Sequence, residues 1–166
     1  MFRKTLLIAL LTLPVVAFAQ EQKIAHVISR DVITAMPEYT QMQDSLKKSE
    51  AEFQNEMKSM SDEYTKKLSD YVSQQDSLNE SIKARRQQEL QDLQQRAETF
   101  QQYAAQKQDE MQQRLSAPIY DKVQKAISDV GKENNFLYII DAQAILYVSP
   151  TAIDATPLIK KKLGLQ

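Results

Sequence analysis

The chain has 166 residues, with 21 basic and 22 acidic side chains, one histidine, no cysteine, no tryptophan and two glycines. That balance excludes the clustered positive charge that nucleic-acid binding requires. The lack of cysteine excludes disulfides, lipobox lipid attachment and thiolate metal sites. With two glycines there is no phosphate-cradling loop, and the abundance of Gln, Lys, Glu and Ser is that of long solvated helices rather than of a compact globule.

Residues 1–19 read as a secretory signal peptide. Arg3 and Lys4 give a basic start, Leu6 to Val16 an apolar run, and Ala17-Phe18-Ala19 a small-x-small cleavage signal. The run is too short for a membrane span, so no stable membrane anchor is expected. Export places the mature chain in the periplasm. From Gln20 onward it carries 19 basic and 22 acidic residues, a balance of −3.

"KIAHVI", residues 23–28, has strand periodicity, with Ile24, His26 and Ile28 on one face and Ala25 and Val27 on the other. Ser29 is the expected cap of a brief helix through Ala35. Met36-Pro37 ends that helix, and Pro37 opens the next with Glu38 in its first turn. Apolar residues then fall at Tyr39, Met42, Leu46, Phe53, Met57, Met60, Tyr64, Leu68 and Tyr71, a heptad-like stripe on a polar helix of roughly 55 Å. A second stripe, Leu90, Leu93, Ala97, Phe100, Ala104, Met111 and Leu115, is out of phase with the first. The break at "SQQDSLNES", with Ser77 and Glu80 forming a capping box, predicts an antiparallel helical hairpin whose tip lies near residues 74–80.

Pro118 interrupts the returning helix and marks a hinge. The helix resumes over Ile119, Val123, Ala126, Ile127 and Val130 and ends near Gly131 or Asn134-Asn135. "NNFLYIIDAQAILYVSP" predicts two strands, about 136–141 and 145–149, joined as a tight hairpin with both faces covered. Thr156 is the expected cap of a last helix, with Pro157 in its first turn, Lys160, Lys161 and Lys162 in its last turns, and Gly164 beyond its end.

These elements make an α+β fold, mainly α. Residues 20–36 and 118–166 form a small β-containing body, and residues 37–117 a coiled helical arm. A three-stranded sheet of this size is too small a core to stand alone, and no disulfide or metal supports it. Self-association is expected through Ile24, His26, Ile28, Leu137, Ile139, Leu146 and Val148.

Chemistry is sparse. His26 reads as a buried, hydrogen-bonded structural residue, and neither Ser29 nor Asp141 stands at a spacing that would make it a catalytic partner. No enzyme activity, metal or cofactor is expected. Apolar side chains in surplus over the hairpin seam, Tyr39, Met42, Phe53, Met60, Tyr103 and Met111, are candidates for an adaptable contact surface, since thioethers repack and Tyr offers ring and hydroxyl.

"KIAHVI", "MPEY" opening a long arm, "PIYDKVQKAISDVGKENNFLYIID", "ILYVSP" and "DATPLIKKKLG" together resemble the Skp/OmpH family of periplasmic chaperones. The resemblance covers essentially the whole mature chain and is strongest at 23–40 and 118–163. It implies a jellyfish-like homotrimer with a shared β-barrel body and three arms around a cavity. It also implies ATP-independent holding of unfolded outer-membrane proteins and their transfer to the outer-membrane assembly machinery. The best-known members of the family are strongly basic, whereas this chain is slightly acidic, so no lipopolysaccharide site is carried over. The competing class is an envelope adaptor whose coiled hairpin docks on one specific partner.

Overall fold

The computed structural model describes residues 23–165; the signal-peptide expectation for residues 1–19 lies outside them. In chain order the elements are β1 (Lys23–Val27), α1 (Ser29–Thr34), α2 (Pro37–Gln74), a 3-10 turn (Gln75–Ser77), α3 (Glu80–Glu133), β2 (Phe136–Asp141), a second 3-10 turn (Ala142–Ala144), β3 (Ile153–Asp154) and α4 (Thr156–Lys162). The protein is mainly helical with one small sheet.

The two long helices run antiparallel. Contacts pair Glu38 with Lys122 at the base, Phe53 with Phe100 midway and Tyr71 with Gln87 near the tip. Pro37 occupies the first turn of α2, where its missing N–H costs nothing. At the tip the cap of α3 is Asn79, whose side chain accepts from Ile82 N at 2.9 Å. The expected Ser77–Glu80 capping box is absent: the Ser77 hydroxyl instead bonds back to the Gln74 carbonyl. Helix α3 continues through Pro118 and ends where Asn135 turns left-handed at φ 55°, with Asn134 bonding the Val130 carbonyl through both backbone and side chain.

The sheet differs from the expected hairpin. Its order is β2-β1-β3 and both pairings are parallel. Residues 145–149 form no strand here, and Leu146 and Tyr147 lie exposed. Both edges of β1 are taken by other segments, which leaves residues 145–149 no place beside it. β2 fills one after the long excursion through the arm, as parallel strands require. β3 fills the other, and its pairing is extended by Ala155 N donating to the His26 carbonyl at 2.8 Å and Ile28 N donating to Thr156 Oγ1 at 3.0 Å. The Asp141 side chain accepts from Gln143 N and turns the chain away from β2.

Two caps are therefore also placed differently. Ile28, not Ser29, is the N-cap of α1 and offers no side-chain bond. Thr156 does not cap α4, because its hydroxyl oxygen serves β1; the Thr156 N–H is satisfied by Asp154 Oδ1 at 2.8 Å. Helix α4 closes on Gly164 at φ 72°, with Gly164 N reaching the Lys161 carbonyl and Leu165 N the Lys160 carbonyl, a Schellman ending that favours glycine.

One core lies on a single face of the sheet. Ala25 and Val27 from β1 meet Val32 and Met36 around α1, Met42 from the base of α2, Ile119, Val123, Ala126 and Val130 from α3, and Ala155 and Ile159 beside β3. Truncating Ile159, which is fully buried, to Ala should lower the unfolding free energy of the whole chain by about 2–5 kcal/mol in urea titrations. Thr156→Val keeps the shape but leaves Ile28 N without its acceptor, and should cost about 1–3 kcal/mol.

Candidate functional site

Two surfaces stand out, the seam of the arm and the uncovered face of the sheet. In the arm, the seam is only partly apolar. Beyond the base, Leu90 and Leu93 are its buried residues. Elsewhere the two helices meet through polar bonds: Gln94 Nε2 donates to the Tyr64 hydroxyl at 2.9 Å, and one heptad outward Gln87 Nε2 donates to the Tyr71 hydroxyl at 2.9 Å. Gln108 Nε2 reaches the Leu46 carbonyl at 3.2 Å. Near the tip Glu89 gathers Lys67 at 3.5 Å, Arg85 at 3.3 Å and Arg86 at 3.8 Å. Such bonds fix register without closing the seam, so the intervening apolar side chains stay half-exposed.

Phe53 and Phe100 meet edge-on in mid-arm, centroids 6.0 Å apart at 71°, and Tyr103 tilts against Phe100 at 6.2 Å. A groove opens on each side of this cluster. One, of about 560 Å³, is lined by Met60, Phe100, Tyr103, Thr99, Asp92 and Arg96. The other, of about 510 Å³, is lined chiefly by Phe53, Met57, Ala104, Gln54 and Gln108. Tyr103 is half-exposed, with Lys107 over its ring at 5.8 Å.

The expected contact residues therefore separate. Phe53, Met60 and Tyr103 converge on the grooves, and Met111 is half-buried farther down the seam. Met42 is a correction: it is 8 % exposed and belongs to the body core, because the base of α2 packs on Ile119 and Val123 rather than standing clear of the body. Tyr39 packs against the same core. Pro118 lines a smaller groove of about 240 Å³ at the arm's root with Met42, Leu115 and Ile119. The Glu38–Lys122 ion pair spans that root, and the hydrogen bond from Lys122 holds the Glu38 carboxyl below its ordinary range.

The second surface is the sheet face turned away from the core. Parallel register sets Ile24 beside Tyr138 and His26 beside Ile140. Ile24, Tyr138 and Ile140 are exposed to 52 %, 59 % and 37 %, so this face is apolar and uncovered by the described residues. Of the residues assigned to the body, Ile139 packs toward the core, Leu137 and Leu146 are exposed, and Ile28 and Val148 are half-buried. Tyr138 and Ile140 are not among the residues expected to associate because both parities of the run 136–141 are apolar, and Leu137 and Ile139 belong to the other one.

His26 also departs from expectation. Its Nδ1 is buried without a hydrogen-bond partner among the described residues, and Nε2 lies 3.9 Å from Asp154 Oδ1, an ionic distance rather than a bond. Burial would raise the Asp154 carboxyl, but hydrogen bonding from Thr156 and the proximity of His26 and Lys160 outweigh it and hold it below its ordinary value of 3.8. Among the described residues no group of three His, Cys, Asp or Glu side chains could hold a metal ion, and no helix is long and apolar enough to cross a membrane.

Residues 23–163 match the family model described as outer membrane protein (OmpH-like). A search of curated proteins finds no match.

Because the folded Asp154 value is depressed, its stabilising contribution is complete above 3.8 and disappears as the pH falls through the folded value. The urea midpoint of the natural protein should therefore drop more than that of Asp154→Asn between neutral pH and about pH 3. Equal drops would show that Asp154 is not a linked group.

Proposed function

This chain belongs to the OmpH-like family, and from that premise we propose that it is an ATP-independent periplasmic holdase for unfolded outer-membrane β-barrel proteins. The observation that carries the reading is the arm's half-open seam. Phe53, Met57, Met60, Phe100 and Tyr103 present apolar surface in two grooves without closing it off. An unfolded barrel exposes alternating apolar side chains and unpaired strand edges, and many weak contacts along several arms hold it with avidity while each contact exchanges. Release then needs no nucleotide, since the folded, inserted client lies lower in free energy.

Several arms require several chains. The uncovered face bearing Ile24, Tyr138 and Ile140 is the surface we assign to self-association, together with the strand-like but unpaired 145–149 segment. An apolar sheet face of this kind is an association surface when exposed. In this reading the assembly is a homotrimer with a pooled β body, its arms enclosing a cavity, the segment around Pro118 acting as the hinge, and the assembly machinery of the outer membrane receiving the client. The compartment is the periplasm, reached with the signal peptide of residues 1–19.

Purified mature protein should suppress aggregation of a urea-unfolded β-barrel on dilution at stoichiometric trimer. No suppression, combined with capture of one folded partner in fixed ratio, would favour the adaptor class instead. Light scattering should return the mass of three mature chains, and a charged residue at the sheet face, Tyr138→Asp, should shift that mass to one chain. A monomeric natural protein would overturn the role given to that face.

A further inference from the structure

The charge around the arm's larger groove points to the kind of segment it takes. Over residues 37–117 there are 15 acidic and 11 basic side chains. The basic ones are mostly engaged: Lys58, Lys67, Lys83, Arg85, Arg86 and Lys107 all sit in ion pairs within the arm. Several of the acidic ones are not. Glu56 and Glu63 stand four residues before and three after Met60, which places both beside it on the same flank of α2. Glu52 extends that flank by one more turn. All three are exposed and make no ion pair among the described residues.

Across the groove Asp92 lines the α3 wall and, among the described residues, accepts a hydrogen bond only from Gln88 Nε2. Two cations oppose these carboxylates. Lys107, over Tyr103, is bound to Glu110 at 2.6 Å, which leaves Arg96 as the basic lining residue outside any ion pair among the described residues. The floor of Met60, Phe100 and Tyr103 is thus apolar and aromatic, and its rim carries an excess of free carboxylates. An aromatic floor with an acidic rim suits an apolar segment bordered by ammonium or guanidinium groups, through charge complementarity.

We infer that this groove takes apolar stretches of unfolded polypeptide flanked by Lys or Arg, so that the protein holds cationic client segments in preference to anionic ones. The inference rests on the holdase reading and names the chemistry of its partner. Attraction between exposed charges acts within a Debye length, so the preference is a property of low and moderate ionic strength. Opposed charges also speed encounter more than they slow release, so the preference resides chiefly in the association rate.

The test uses one probe in two charge states: a cationic β-barrel protein, unfolded in urea, with its lysines free or succinylated, added to the full mature protein. At about 20 mM salt the free-lysine form should bind roughly tenfold tighter by fluorescence anisotropy, and the gap should narrow toward unity at about 300 mM. The variant E52Q/E56Q/E63Q changes exposed positions outside the groove's lining and should reduce the low-salt gap to about twofold while leaving aggregation suppression of the succinylated form unchanged. Equal or tighter binding of the succinylated form, or a gap that the variant leaves intact, overturns the preference while the holdase reading stands. Failure to hold either form overturns the holdase reading itself.

Discussion

Both edges of β1 are occupied, and the rest of the body follows from how. This strand of five residues is the centre of the sheet, with β2 on one side and β3 on the other, each parallel to it. Parallel neighbours cannot be joined by tight turns, so each must come back from a distance. For β2 that distance is the entire helical arm, which makes the arm a crossover connection as well as a projecting limb. For β3 it is the irregular stretch after β2, and the anchoring there is completed by side-chain chemistry, with Thr156 accepting from Ile28 N and Asp154 accepting from Thr156 N. Among the described residues, a sheet so narrow buries one face on four helices and leaves the other bare. The pleat decides which residues lie where: Ala25 and Val27 inward, Ile24 and His26 outward.

Much of this was legible in the sequence where the determinants are local. Pro37 at the start of α2, the polar break near residue 75, the Asn134-Asn135 ending of α3 and Gly164 after α4 each reflect a backbone preference of one or two residues. The alternation in "KIAHVI" likewise separated the two faces of β1. The errors arise where several local solutions are equal. Ser77 and Asn79 are both good caps, and only the geometry of the tip selects the second. Two apolar runs with a short polar link, 136–141 and 145–149, look the same whether they pair with each other or not. Which run pairs, and with what, is settled by the distant segments Lys23–Val27 and Ile153–Asp154, which no local pattern encodes. Met42 fails for a related reason: a heptad position tells which side of a helix is apolar, not how close that turn lies to a core built by other segments.

The candidate contact surface shows the same division. Phe53, Met60 and Tyr103 could be marked as surplus by counting apolar residues against heptad positions, and they do meet at the mid-arm grooves. The polar seam that keeps those grooves open was not legible. Tyr64 with Gln94 and Tyr71 with Gln87 are pairs across two helices, and their existence depends on a register that residues far from either pair determine. A seam of Leu alone would close more tightly and hide the same aromatic rings. Here hydrogen bonds fix which turn of α2 faces which turn of α3, and packing is left incomplete between them.

The position of β1 in the chain has a bearing on how the molecule comes to be made. The sheet's central strand begins at Lys23, yet its partners begin only at Phe136 and Ile153. The arm between them consists of neighbouring turns and an antiparallel return, contacts of the kind that form within microseconds. The strand must wait for closure of a loop of about a hundred residues, whose entropic cost grows only slowly with length but is met all at once. Limbs therefore mature before the hub, and for that interval every nascent copy displays an unpaired strand of the same type as the unfinished barrels it is proposed to shelter.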